Sequence, residues 1–118
     1  MKYMCLVYRE EKKVDAMSRP AFAAFVAEHR AYDEALRKSG HGIGAEGLQP
    51  VRTATTVRMR NGKVTTTDGP FAETKEQLGG FFLIDARDLD EAIRVASNIP
   101  AAHLGSIEIR PIRESEQP

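Results

Sequence analysis

Gly79-Gly80-Phe81-Phe82-Leu83-Ile84-Asp85 is the most apolar strand candidate in the chain, and it does not alternate between apolar and polar residues. A strand with apolar side chains on both sides has to be covered on both faces, so this segment predicts the centre of a sheet. The other elements must then be arranged to cover it.

Tyr3-Met4-Cys5-Leu6-Val7-Tyr8 is a shorter, nearly continuous apolar run that ends in charged residues from Arg9 to Lys13, which predicts a first strand followed by a surface turn. Ser18 with Pro20 close behind marks a helix start. Phe22, Phe25, Val26, His29, Tyr32 and Leu36 then recur at helical spacing until Gly40, so the helix is expected over 19–39. His41 to Gly47 carries three glycines in seven residues and reads as a loop that bends sharply or lets backbone approach something closely. It matches neither a dinucleotide fingerprint nor a P-loop, and no cofactor is expected.

Val51, Thr53, Thr55, Val57 and Met59 share one face of an alternating strand, and Asn61-Gly62 supplies a type I′ hairpin turn. A two-residue turn fixes the register: Arg60 opposite Lys63, Met59 opposite Val64, Val57 opposite Thr66 and Thr55 opposite Asp68. Asp68 is thereby expected on the same, inward face as Val57, Met59 and Val64. Asp88 and Glu91 form a capping box for a second helix with Leu89, Ala92, Ile93 and Ala96 as its stripe, ended by Pro100. Ile107, Ile109 and Ile112 read as a last strand with one exposed side.

The order strand, helix, hairpin strands, strand, helix, strand is that of two βαβ halves, so the expected fold is α+β, a ferredoxin-like βαββαβ sandwich. Both helices then cover one face of an antiparallel sheet. The other face of the Phe81 to Ile84 strand is left bare, and a second copy of the chain is expected to bury it in a homodimer. At 118 residues the chain is read as one domain over 1–113 with a frayed tail at 114–118.

Seventeen basic residues balance seventeen acidic ones, so no global field is available to hold nucleic acid. The single cysteine, Cys5, lies in an apolar run and reads as a small core side chain in a reducing compartment. No apolar run is long enough to span a bilayer and no signal peptide is recognisable, so a cytoplasmic protein without membrane contact is expected. No His, Cys, Asp and Glu spacing resembles a structural zinc site, and no metal is expected.

Two places carry candidate chemistry. His29 sits on the apolar stripe of the first helix and should point toward the sheet, where a carboxylate neighbour would tune it for proton transfer. The alternative is a core-edge histidine hydrogen-bonded to backbone or to Tyr32. Asp68 opens the second place, the loop Asp68-Gly69-Pro70-Phe71-Ala72-Glu73-Thr74-Lys75. There Thr74 and Lys75 offer a hydroxyl and a cation to an anionic small molecule, with Phe71 as an apolar wall. Local turn hydrogen bonding by Asp68 and a merely solvated loop are the competing readings. His41 and His103 read as surface residues. Asp33, beside Glu34, reads as part of a solvated helix face.

Asp68-Gly69-Pro70-Phe71, the following Ala72 to Gly80, the opening Met1-Lys2-Tyr3-Met4, Glu46-Gly47-Leu48-Gln49-Pro50, Asp88 to Ala92 and Ile109-Arg110-Pro111-Ile112 together resemble the DGPF-motif branch of the YCII-related proteins. The resemblance implies a ferredoxin-like dimer of the α/β-barrel kind, similar to muconolactone-isomerase-like proteins. It also implies genes often found beside extracytoplasmic-function sigma factors. In the wider group a His-Asp pair is the suggested active site. The histidine matches His29, but the aspartate, which stands in an Asp-Pro pair after the second helix, falls at Ile99-Pro100 here.

The expected function is an acid-base pocket for a small, anionic molecule. In it His29 and Asp68 are catalytic in isomerase-like proton transfer, while Tyr32, Gly69, Pro70, Phe71, Thr74 and Lys75 bind ligand. The alternative is a non-catalytic small-molecule-binding or regulatory protein linked to a sigma factor.

Overall fold

The computed structural model describes residues 1–115; the outer part of the tail expected to fray, 116–118, lies outside the described residues. In chain order the elements are β1 (Lys2–Arg9), α1 (Glu11–Asp15), α2 (Arg19–Ser39), β2 (Gly42–Gly47), β3 (Thr55–Arg60), β4 (Lys63–Asp68), β5 (Gln77–Asp85), α3 (Leu89–Ser97) and β6 (Gly105–Pro111). Short 3-10 turns occupy Val51–Thr53 and Pro100–His103.

The main sheet is antiparallel with strand order β2-β5-β1-β6, an α+β arrangement consistent with the ferredoxin-like class. β5 and β1 are central, as their apolar runs require. Alternation along β1 sends Tyr3, Cys5 and Val7 to one face, where they pack with Phe82 and Ile84 of β5, Phe25 and Leu36 of α2, and Ala92, Val95 and Ala96 of α3. Met4, Leu6, Phe81 and Leu83 point to the opposite face and stay half-exposed within one chain. Cys5 is fully buried, and burial pushes its thiol pKa up to about 11, which is the behaviour of an inert core residue.

The second strand of the sheet is the glycine-rich segment read above as a loop. Gly42–Gly47 pairs along β5, from Gly42 opposite Ile84 to Gly47 opposite Gly80. The expectation of close backbone approach does hold at Gly42, where a Cβ would meet the Arg37 nitrogen at 2.9 Å and the Leu36 carbonyl carbon at 3.0 Å. A larger residue would push the edge strand off the end of α2.

The hairpin stands outside this sheet. β3 and β4 form a separate two-stranded ribbon with the register expected from Asn61-Gly62, both residues at positive φ, and with Thr55 opposite Asp68. The strand begins at Thr55, because Val51–Thr53 closes into a 3-10 turn whose Val51 amide donates to Glu11. Its expected inward face is not inward within one chain: Val57, Met59 and Val64 are 61%, 58% and 63% exposed. The radius of gyration, 16.1 Å, exceeds the about 13.5 Å of a compact domain this long, as a projecting ribbon demands. Among the described residues no helix is long and apolar enough to cross a membrane.

Candidate functional site

An open cleft of about 480 Å³ lies between α2 and the sheet, walled by Phe22, Phe25 and His29 from α2, Val7 and Arg9 from β1, and Phe82 from β5. Ser18 caps α2 by accepting from the Ala21 amide, and Pro20 sits in its first turn, so the helix starts where its aromatic stripe can face the sheet.

His29 points inward as its helical spacing requires. Its ring lies edge-on to Phe25, with centroids 4.5 Å apart, and 6.5 Å from Phe82. Nδ1 is 2.7 Å from the Phe25 carbonyl oxygen, and the Ala101 amide donates to Nε2 at 3.1 Å. An amide can only donate, so Nε2 is the acceptor and Nδ1 carries the proton that goes to Phe25. Both ring nitrogens of a neutral imidazole are therefore satisfied by backbone. Burial pushes the His29 pKa below its ordinary value and the Arg9 charge adds to this, against opposing pulls from the Phe25 carbonyl and Glu28.

Ile99, where the resemblance places the wider group's aspartate, is fully buried, and the segment it belongs to is the one that reaches His29 through the Ala101 amide. An apolar side chain and a backbone donor thus stand where a carboxylate would have been.

Asp68 does not partner His29 within one chain. It ends β4 at the base of the ribbon, exposed and opposite Thr55, while the hydrogen bonds of His29 go to Phe25 and Ala101. The ribbon is a two-stranded sheet of its own, so the register that sets Asp68 opposite Thr55 does not place it on the covered face of the main sheet. Gly69 closes the ribbon, its amide donating to Ala54 and its carbonyl accepting from the Thr56 hydroxyl. Pro70 is exposed and Phe71 is 80% exposed; Thr74 donates to the Glu76 carbonyl, and the Lys75 carbonyl accepts from Gln77. None of these loop residues lines the cleft. Tyr32 is also outside it: its hydroxyl donates to the Val95 carbonyl at 2.6 Å and ties α2 to α3. Asp33 is held by Arg37, and His41 is half-buried between Ser39 and Glu91 rather than free at the surface.

Arg9 is the site residue that the linear reading placed in a surface turn. Its Cζ lies 5.4 Å from the centroid of the Phe25 ring, within cation–π range. Burial lowers its pKa, with the Glu11 charge pulling the other way. The signal was its odd number: Arg9 continues the inward series Tyr3, Cys5, Val7.

The sheet order and the long helix over the cleft give an α+β architecture consistent with the ferredoxin-like class. The chain belongs to the YCII-related domain family, whose sequence model matches residues 1–116. It is 37% identical over 114 residues, 95% of this chain and 92% of the relative, to an uncharacterized protein of Rhizobium meliloti (strain 1021). Among solved structures it is similar to 5-chloro-2-hydroxyhydroquinone dehydrochlorinase from Burkholderia phenoliruptrix AC1100 in complex with 2,5-dihydroxybenzoquinone. That match has a TM-score of 0.55 at 17% identity and covers 98% of this chain and 97% of the other. At this identity the likeness is one of fold.

Proposed function

We propose that the chain is a homodimeric small-molecule-binding protein whose site is the cleft between α2 and the sheet, with His29 a fixed wall of that site. The observation that carries the reading is the double backbone engagement of the imidazole. A general base needs a free lone pair, and here that of Nε2 is taken by the Ala101 amide. The apolar lining by Phe22, Phe25 and Phe82 favours a flat ligand, and the solved neighbour's ligand is a planar quinone. Dimer formation is supported by the half-exposed Met4, Leu6, Phe81 and Leu83 face and by the bare Val57, Met59 and Val64 side of the ribbon.

A titration of 15N-labelled protein with benzoate, benzamide and 2,5-dihydroxybenzoquinone tests this. Amide shifts are expected to gather at residues 45–48 and 79–82. Shifts confined to residues 68–75, or none with any compound, contradict it.

A second reading keeps proton transfer. In it His29 is the acid-base group and Asp68 orients it from the partner subunit's ribbon, bringing Gly69, Pro70, Phe71, Thr74 and Lys75 to the ligand. The projection of the ribbon supports it, as does the enzymatic activity of the solved neighbour. Loss of turnover in both His29→Ala and Asp68→Asn, on a substrate found by metabolite screening, decides for this reading over the first.

A further inference from the structure

Arg9 brings a guanidinium into an aromatic cleft without an anion to meet it. Among the described residues no carboxylate lies within ion-pair distance of it, and its guanidinium donates to no protein acceptor. Glu11, whose charge reaches it, spends one carboxylate oxygen on the Val51 amide. Asp33 and Glu46 also line the cleft, but Asp33 is paired with Arg37 and Glu46 is exposed, and neither is within ion-pair distance of Arg9. No side-chain nitrogen or oxygen among the described residues is sealed in without a partner, so the Arg9 donors open to the cleft and its water. Desolvating a cation this far is costly unless something returns the interaction.

The strand opposite is shaped for it. β5 carries a bulge against β1 between the Val7–Gly80 and Tyr8–Leu78 pairs, which leaves Gly79 as the extra residue. A Cβ there would lie 2.5 Å from both Cζ and Nη1 of Arg9, so the bulge glycine is the space in which the guanidinium rests. Phe25 holds its other side by cation–π contact. A bulge, a glycine and an aromatic ring thus seat one cation, with its donor fork free of protein acceptors and open to the cleft.

We infer that Arg9 is the anion anchor of the cleft, and that the ligand is a planar ring bearing one delocalised oxyanion, a carboxylate or an acidic enol. The fork of N–H donors matches such an oxyanion bidentately, and the aromatic walls take the ring. This rests on the binding reading above and adds the charge and shape of the ligand.

The test is calorimetric titration of the full chain with benzoate and with its neutral isostere benzamide, on wild type, Arg9→Gln and Gly79→Ala. Benzoate is expected to bind at least about tenfold more tightly than benzamide, the scale of one charge-assisted contact. Arg9→Gln removes that preference. Gly79→Ala reduces it by displacing a flexible side-chain end, and thermal melting shows both variants folded. Equal binding of the two probes, or a preference that survives Arg9→Gln, overturns the anchor and leaves the binding reading standing. Binding of neither probe overturns both.

Discussion

The Ala101 amide donates to Nε2 of His29 across 3.1 Å, joining α2 to a residue 72 positions later in the chain. That bond holds the turn after α3 against the first long helix and assigns the tautomer of the imidazole. The cleft wall and the fold's closure depend on the same side chain.

Removing the imidazole leaves the Ala101 amide without its acceptor, so His29→Ala is expected to cost about 2 kcal/mol of stability, the scale of one lost buried hydrogen bond and its orphaned donor. His29→Gln, which can still present an acceptor, costs less. Urea unfolding of the two variants checks the order; equal losses would mean that packing alone explains the site.

The folded-state pKa of His29 lies below its ordinary value of 6.5. The unfolded chain therefore binds more protons as pH falls, and the contribution of His29 to stability is complete above pH 6.5 and lost as pH drops through the folded pKa. Wild type should lose more stability between pH 7.5 and 5 than His29→Gln, in unfolding curves measured at both values. Parallel pH profiles contradict the neutral imidazole.

Gly42 and Gly44 sit two residues apart on one edge strand, yet they differ in space. A Cβ at Gly42 meets α2 backbone at 2.9 Å, whereas at Gly44 nothing lies within 4 Å. Gly42→Ala is expected to destabilise by about 1–3 kcal/mol, as overpacking against backbone does, and Gly44→Ala to be neutral or slightly stabilising. Melting temperatures of the pair decide it.

Val57, Met59 and Val64 are exposed together on a ribbon whose apolar side no described residue covers. Replacing Met59 and Val64 by Thr should shift the proposed homodimer toward monomer in light scattering while helical circular dichroism stays unchanged. A dimer of unaltered strength excludes the ribbon from the interface.

Local signals were the legible part of the fold. The bounds of α2 follow from Ser18 and Gly40, and the β3–β4 register follows from Asn61-Gly62, because each depends on a few adjacent residues. β2 was illegible because Gly42–Gly47 has neither alternation nor β-branched density, and its strand character comes from pairing with β5. That omission put the ribbon in the place of an edge strand, and so turned the Asp68 face inward. At the site, the direction of His29 was readable from helical spacing. Backbone bonding was one of the two readings open for it, but which amide it meets was not legible, since the Ala101 amide has no side-chain signature. Arg9 was hidden by the charged run it begins, although its parity along β1 marked it as inward.

The central claim is that the cleft under α2 holds a small planar anion. A crystal structure of the protein grown with benzoate is the decisive measurement. The ring is expected against Phe25 and Phe82, the carboxylate on Arg9, and the bond between His29 and Ala101 intact. Benzoate seated at residues 68–75, or a cleft filled by the partner subunit's own side chains, would contradict it.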